Sequence, residues 1–288
     1  MVLIAVGQIC ATASISFNKA QCCKLVHQAS SLGAKMIFLP EAADFISHSR
    51  DEALQLTTPI DNSEFVSALK ASAKENCMWI SVGIHESADA GTTNDNRLEV
   101  IKQKIFNTHI VINEEGELLA RYRKVHLFNV DLVGLRLMES DTTLAGDKLI
   151  DPIHTPAGML GLQTCYDMRF AESSIALRKR GAELLAYPSA FTIKTGMAHW
   201  ETLLRARAIE TQTYVIASAQ IGAHNEKRSS YGNAMIVDPW GTVIARCPDN
   251  HHEPTLAVGN IDVDYLNKIR LEMPVMAHRR NDIYPAIE

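Results

Sequence analysis

The sequence predicts a single-domain α/β fold built on mixed β-sheet, and three observations carry that expectation. Short strand-like apolar runs alternate with longer runs of helical periodicity. Two pairs of strand-like runs are joined by tight turn sequences, so antiparallel hairpins accompany the βα alternation that implies parallel pairing. No repeat, low-complexity stretch or Pro/Gly/Ser-rich linker divides the 288 residues, a length that one large α/β domain can hold.

The elements follow in order. Residues 2–6 are apolar and read as a buried first strand; they lack the basic flank of a signal peptide. Helical periodicity covers 18–32, with Cys22, Val26 and Ala29 on one face and Gly33 as the expected C-cap. Residues 36–39 form a strand ending at Pro40-Glu41. Asp61 is expected to open the next helix, because Glu64 completes a capping-box pattern and Phe65, Leu69 and Ala73 follow at intervals of four. Residues 79–84 are strand. Residues 105–112 and 118–122 flank Asn113-Glu-Glu-Gly-Glu117, a hairpin turning at Gly116. A strand over 159–164 precedes a helix over 171–179. Strand 184–187, helix 198–213 and strand 214–219 come next, and 234–237 and 242–245 flank a second hairpin at Asp238-Pro-Trp-Gly241.

Composition narrows the function classes. A formal net charge of −5, with Lys and Arg scattered rather than blocked, argues against a nucleic-acid partner. No window approaches the ~18 apolar residues of a membrane span. The six cysteines (10, 22, 23, 77, 165 and 247) show no framework spacing, which suits a reducing, cytoplasmic setting; a partly mitochondrial form from an alternative start stays open.

The residues that can carry chemistry sit just beyond strand ends. Cys165 lies where the strand over 159–164 turns toward a helix, a junction that can present a sulfur beside backbone N–H groups. Free cysteines are also among the most buried residues, so placement alone leaves a core role open. Glu41 follows Phe38-Leu39-Pro40, where partial desolvation makes a carboxylate a better proton acceptor; a solvated loop acid is the plainer reading. Lys124, in Arg121-Tyr-Arg-Lys-Val-His-Leu-Phe128, can supply positive charge to an oxyanion or a thiolate, or simply belong to an exposed basic cluster. Glu139 lies in the following loop. There is no Gly-rich phosphate loop and no His-Glu-x-x-His, and His251-His252 reads as a solvated turn, so neither cofactor nor metal is expected.

Three segments, Phe38-Leu-Pro-Glu41, Tyr122-Arg-Lys-Val-His-Leu-Phe128 and Cys165-Tyr-Asp-Met-Arg-Phe170, resemble the signature segments of the nitrilase superfamily of carbon–nitrogen hydrolases. Tyr187-Pro-Ser-Ala-Phe191, His199-Trp-Glu, the run Arg205 to Gln212, Asp238-Pro-Trp-Gly241 and the tail His278 to Tyr284 extend the resemblance over essentially the whole chain. Within the superfamily the chain is most similar to the eukaryotic Nit group, and there to amidases of deaminated glutathione. Ala171 departs from the pattern, since many members carry Pro there.

The resemblance implies a four-layer α-β-β-α sandwich of two mixed sheets. It also implies a homodimer or higher oligomer, joined through the helices after Cys165 and over 198–213, with the tail 274–288 reaching the partner. It assigns Cys165 as nucleophile, Glu41 as general base, Lys124 and the Tyr166 backbone N–H as oxyanion stabilisers, and Glu139 as support for Lys124. It offers Arg169, Phe191 and Thr195 as substrate contacts, Arg169 for a carboxylate; an ion pair with Glu172 or Asp167 is the structural alternative for that arginine. The implied reaction cleaves deaminated glutathione to 2-oxoglutarate and cysteinylglycine without a cofactor. A Nit-type link to a histidine-triad nucleotide hydrolase is a possible partnership. The rival readings are an ω-amidase acting on 2-oxoglutaramate and a mainly interacting or signalling role; nitrile hydrolysis and a cysteine protease fit less well.

Overall fold

The computed structural model describes residues 1–88, 104–132, 135–249 and 253–285, and the His251-His252 turn lies outside them. The chain runs β1 (Val2–Ile9), α1 (Ile15–Ser31), β2 (Met36–Phe38), α2 (Arg50–Leu56), α3 (Glu64–Asn76), β3 (Trp79–Ser87), β4 (Ile105–Ile112) and β5 (Leu118–Arg123). A small hairpin of β6 (Asn129–Leu132) and β7 (Leu135–Met138) follows, then β8 (Thr143–Leu144), β9 (Ile153–Thr155), β10 (Gly158–Leu162), α4 (Ala171–Lys179), β11 (Leu184–Ala186) and α5 (Ile193–Thr211). The last part comprises β12 (Tyr214–Ala217), β13 (Ala219–Ala223), β14 (Ser229–Tyr231), β15 (Met235–Val237), β16 (Val243–Arg246), β17 (Thr255–Ile261) and α6 (Val263–Glu272).

Among the described residues the strands other than β6 and β7 build two mixed sheets. The first has the order β14-β13-β1-β2-β3-β4-β5, with β17 also on β1 and β8 also on β4; the second has the order β16-β15-β12-β11-β10-β9. β1, β2 and β3 are parallel, whereas β3, β4 and β5 are antiparallel. The second sheet repeats the mixture, with β10, β11 and β12 parallel and β9, β15 and β16 antiparallel.

Side-chain alternation along these strands makes the layers. Ile4, Val6, Met36, Phe38 and Tyr122 face the second sheet and share one core with Leu160, Leu162, Leu184 and Ile216. The alternate residues Ala5, Ile37, Ile80 and Val82 form a second core with Cys22, Leu25 and Ala29 of α1 and Phe65 and Leu69 of α3. On the far side α4 and α5 contribute Leu177, Trp200, Leu204 and Ala208. The result is the expected α-β-β-α sandwich. No helix among the described residues is long and apolar enough to cross a membrane.

Local chemistry moved several boundaries. α1 starts at Ile15, because Ser14 accepts a bond from the Phe17 N–H, and it ends before Gly33 at φ +84°, as expected. The Asp61–Glu64 capping box does not form. Residues Ile60–Asn62 make a 3₁₀ turn instead, and the nearer hydroxyl of Ser63 caps α3 by accepting from the Val66 N–H. α5 begins at Ile193, capped by Thr192, five residues before the expected start at 198.

The run 214–219 is not one strand. It breaks at Ser218, which leaves β12 in the second sheet and β13 in the first, and the Ser218 hydroxyl donates to the Leu39 carbonyl at 2.8 Å. The β6–β7 hairpin, β8, β9, β14, β17, α2 and α6 are elements that the sequence pattern does not predict.

β3 meets the segment after β2 closely. Gly83 donates its N–H to the Pro40 carbonyl at 3.0 Å, and a Cβ there would lie 2.6 Å from the Glu41 Cα. Gly83→Ala is therefore expected to cost about 1–3 kcal/mol through overpacking and to displace Glu41. Urea unfolding of the variant, read beside its activity, checks both effects.

Candidate active site

Four strand ends converge on one point between the sheets. Glu41 follows β2, and Ala42 beside it takes φ +53°. Lys124 follows β5; the two-residue period sends Tyr122 and Lys124 inward, where they are essentially buried. Arg121 and Arg123 point to the other face and pair with Glu86. Lys124 is thus not a member of an exposed basic cluster. Glu139 opens a 3₁₀ turn after β7. Cys165 opens another, Cys165–Arg169, after β10, with φ +46° and its N–H bonded to the Pro188 carbonyl at 3.0 Å.

The charged groups form one network. Lys124 Nζ donates to Glu41 Oε1 at 3.0 Å and to Glu139 Oε1 and Oε2 at 3.1 and 2.9 Å. Asn107 Nδ2 bridges the same carboxylates, at 2.7 Å to Glu41 Oε1 and 3.1 Å to Glu139 Oε1. The Phe128 N–H adds a bond of 2.7 Å to Glu139 Oε2. Burial by itself would lower the Lys124 pKa, but Glu139 and Glu41 outweigh it and hold the ammonium well above its ordinary value. Burial likewise opposes ionisation of Glu139, and Lys124 with the Phe128 N–H overcomes it, so this carboxyl sits below its usual range.

Cys165 behaves in the opposite sense. Burial first and the Glu41 carboxylate second push its thiol pKa up, against a smaller pull from Lys124 and a backbone bond at Ala190. Glu41 is the acidic group whose charge acts on this thiol, and both line the same cavity. A nucleophile in this state keeps its proton until a base takes it, and the carboxylate that acts on it is Glu41.

Asp167 fixes the turn that carries Cys165. It is fully buried and accepts from the Thr164 N–H at 2.8 Å, the Tyr122 hydroxyl at 2.7 Å and the His126 N–H at 3.1 Å. With those partners around it, Asp167 is not the counter-ion of Arg169, and Glu172 is not either: among the described residues Arg169 has no ion pair. Its guanidinium contacts His199 Nδ1 at 3.2 Å and lies 5.7 and 5.5 Å from the Tyr166 and Phe191 ring centroids.

These groups open onto a cavity of about 950 Å³ that Glu41, Lys124, Glu139 and Cys165 line together. Arg169, Phe191, Thr195 and Tyr166 line it too, so every residue expected at the site reaches it. Sequence reasoning missed Asn107, the tether between the two carboxylates. Its signal was the polar run Asn107-Thr108-His109 inside an otherwise apolar strand. His85 was missed as well; it lines the cavity, held by Asp44 at 2.9 Å and stacked on Phe45. No cluster of potential metal ligands occurs among the described residues.

The carbon-nitrogen hydrolase family model matches residues 3–271. The nitrilase and fragile histidine triad fusion protein NitFhit of Drosophila melanogaster is 49% identical over 98% of this chain, which spans only 58% of the fusion's length. The deaminated glutathione amidase of Homo sapiens is 47% identical over 98% of this chain and 83% of its own length. Among solved structures, the C. elegans NitFhit protein superposes with a TM-score of 0.88 at 42% identity, over 98% of this chain and 66% of that one.

His109 locks this region. Its Nδ1 meets the Gln163 carbonyl at 2.9 Å, two residues before Cys165, and its Nε2 meets Ser81 Oγ at 2.6 Å. Burial lowers its pKa to about 4, as it does for His224 behind β13. Both are neutral when folded, whereas in the unfolded chain they take a proton near pH 6.5. Between those values the unfolded state binds more protons, so stability holds above about pH 6.5 and falls as pH drops toward 4, by on the order of 3 kcal/mol per histidine. Urea midpoints at pH 7 and 5 should fall on acidification, and less steeply in His109→Gln.

Proposed function

The chain belongs to the carbon–nitrogen hydrolase family, and on that premise we propose that it is an amidase hydrolysing deaminated glutathione to 2-oxoglutarate and cysteinylglycine. One observation carries this reading. A buried, protonated thiol shares a cavity with a carboxylate that is itself held by a buried lysine, and the same cavity bears an arginine with no counter-ion among the described residues. The amidase name of a relative 47% identical supports the substrate class.

In the mechanism, Cys165 Sγ attacks the amide carbonyl carbon while Glu41 takes the thiol proton. The oxyanion faces the Lys124 charge and the Tyr166 backbone N–H. Lys124 acts through its charge, because its donors are already committed to Glu41 and Glu139. As the C–N bond breaks, Glu41 returns the proton to the departing nitrogen and a thioester stays on Cys165. Water then gives a proton to Glu41 and its oxygen to the acyl carbon; the C–S bond breaks and the proton returns to sulfur. Proton transfer from Cys165 to Glu41 leaves the net charge of the buried site unchanged, so no new charge is desolvated. Arg169 pairs with the carboxylate beside the keto group, near the Tyr166 and Phe191 rings.

The size of the cavity favours this dipeptide-bearing amide over 2-oxoglutaramate, since about 950 Å³ is at the upper end for a drug-sized ligand. A second role in partnership with a histidine-triad protein rests on the NitFhit relatives, in which the two halves share a chain. The six cysteines are free thiols, which suits a reducing cytoplasm.

Dimerisation belongs to the same proposal. Ile193 and Met197 lie one turn apart on α5 and are exposed, as are Leu271 and, in the C-terminal tail, Ile283. A self-complementary contact through α5 and the tail would cover them.

Deaminated glutathione is expected to turn over faster than 2-oxoglutaramate under matched conditions, and faster ammonia release from the latter would sink the choice of substrate. Cys165→Ala should lose at least about a thousandfold in kcat, and Glu41→Gln roughly a hundredfold or more. Light scattering should give a dimer mass for the wild type, moving toward monomer in Met197→Glu; a wild-type monomer would rule out this interface.

A further inference from the structure

The cavity has a second pole of positive charge that the mechanism does not use. Lys194 stands in the first turn of α5, and Lys227 and Arg228 stand in the connection between β13 and β14; all three line the cavity and are exposed at its mouth. None has an ion-pair partner among the described residues. Glu226, on the same connection, is the opposing charge, which leaves an excess of two positive charges in a chain whose net charge is −5.

The fold holds this rim in place. β14 is tied to the start of α5 by the Thr192–Ser230 bridge and by the Tyr231 N–H bonded to the Phe191 carbonyl at 2.9 Å. The connection is closed by His224 N–H to the Arg228 carbonyl at 2.9 Å, and Asn225 Nδ2 reaches the Ser47 carbonyl at 3.3 Å. The lysines and the arginine therefore sit on a braced turn rather than on free chain.

Arg169 and this rim are different in kind. Arg169 is half-buried on the nucleophile's own turn, near two aromatic rings. That setting suits the acyl part, which stays bound through both chemical steps. The rim faces solvent, and the amine product must leave through solvent while the thioester persists. Building on the amidase reading above, we propose that Lys194, Lys227 and Arg228 form a leaving-group subsite for a carboxylate on the amine side of the scissile bond. The substrate class is then an amide with an acid at each end, a keto acid held by Arg169 and a peptide-type carboxylate held at the rim. The excess charge also draws such dianions to the cavity mouth.

The test compares deaminated glutathione with its C-terminal carboxamide, which lacks only the far carboxylate, on the full chain. The wild type is expected to favour the free acid by roughly tenfold in kcat/KM, mainly through KM. In the Lys194→Ala/Lys227→Ala/Arg228→Ala variant the preference should fall to about unity; the single Lys227→Gln should give an intermediate ratio. A wild type that turns over both at equal efficiency, or a triple variant that keeps the preference, overturns the subsite and leaves the amidase reading standing. A wild type that cleaves neither, yet cleaves 2-oxoglutaramate, overturns the substrate reading and the subsite with it.

Discussion

A lysine buried between two glutamates is the constraint on which the rest of this structure depends. Lys124 and Glu41 have left bulk water and Glu139 has largely done so, and such charges persist only when each is paired and its remaining hydrogen bonds are met. Asn107 and the Phe128 N–H complete that satisfaction. The three charges come from segments far apart in the chain, so the network closes only when β2, β5 and the turn after β7 are all in register. Removing Lys124 leaves two carboxylates without their cation, which ties the integrity of the fold to the integrity of the site.

The seam between the two sheets supplies the precision. Ser218 holds the Leu39 carbonyl, Gln220 holds the Glu41 carbonyl at 2.9 Å, and His109 holds the Gln163 carbonyl. Each contact fixes main chain within two residues of Glu41 or Cys165. Ala42 and Cys165 themselves adopt left-handed backbone without being glycine. Such strain persists where surrounding bonds over-determine it, and it commonly marks functional positions. Asp167, with Tyr122, the Thr164 N–H and His126, provides that over-determination for the Cys165 turn.

Much of the fold was legible because it rests on local signals. The periodicity of α3 and α4, the Gly33 and Gly116 turns and the two hairpins are written in neighbouring residues. The misreadings are equally physical. Asp61 and Ser63 both offer a capping group near Glu64, and only the folded chain shows which hydroxyl or carboxylate meets the first free N–H. Residues 214–219 have the pattern of one buried strand, yet the chain crosses between sheets at Ser218, a choice set by the Leu39 carbonyl 179 residues away. β17 escaped because it runs beside β1 from the far end of the sequence.

At the site, the sequence by itself determined the chemistry available: a thiol, a base, a cation and a candidate arginine, each just past a strand or in its turn, with motif spacing that resembled one family. Only the tertiary structure decided which of them meet. It put Lys124 inward and its neighbours Arg121 and Arg123 outward, freed Arg169 from Asp167 and Glu172, and added Asn107 and Asp167 as the residues that hold the others. The physical reason is that burial and pairing depend on distance in space. A carboxylate beyond a strand is an ordinary loop acid until a lysine 83 residues away shares its desolvated pocket.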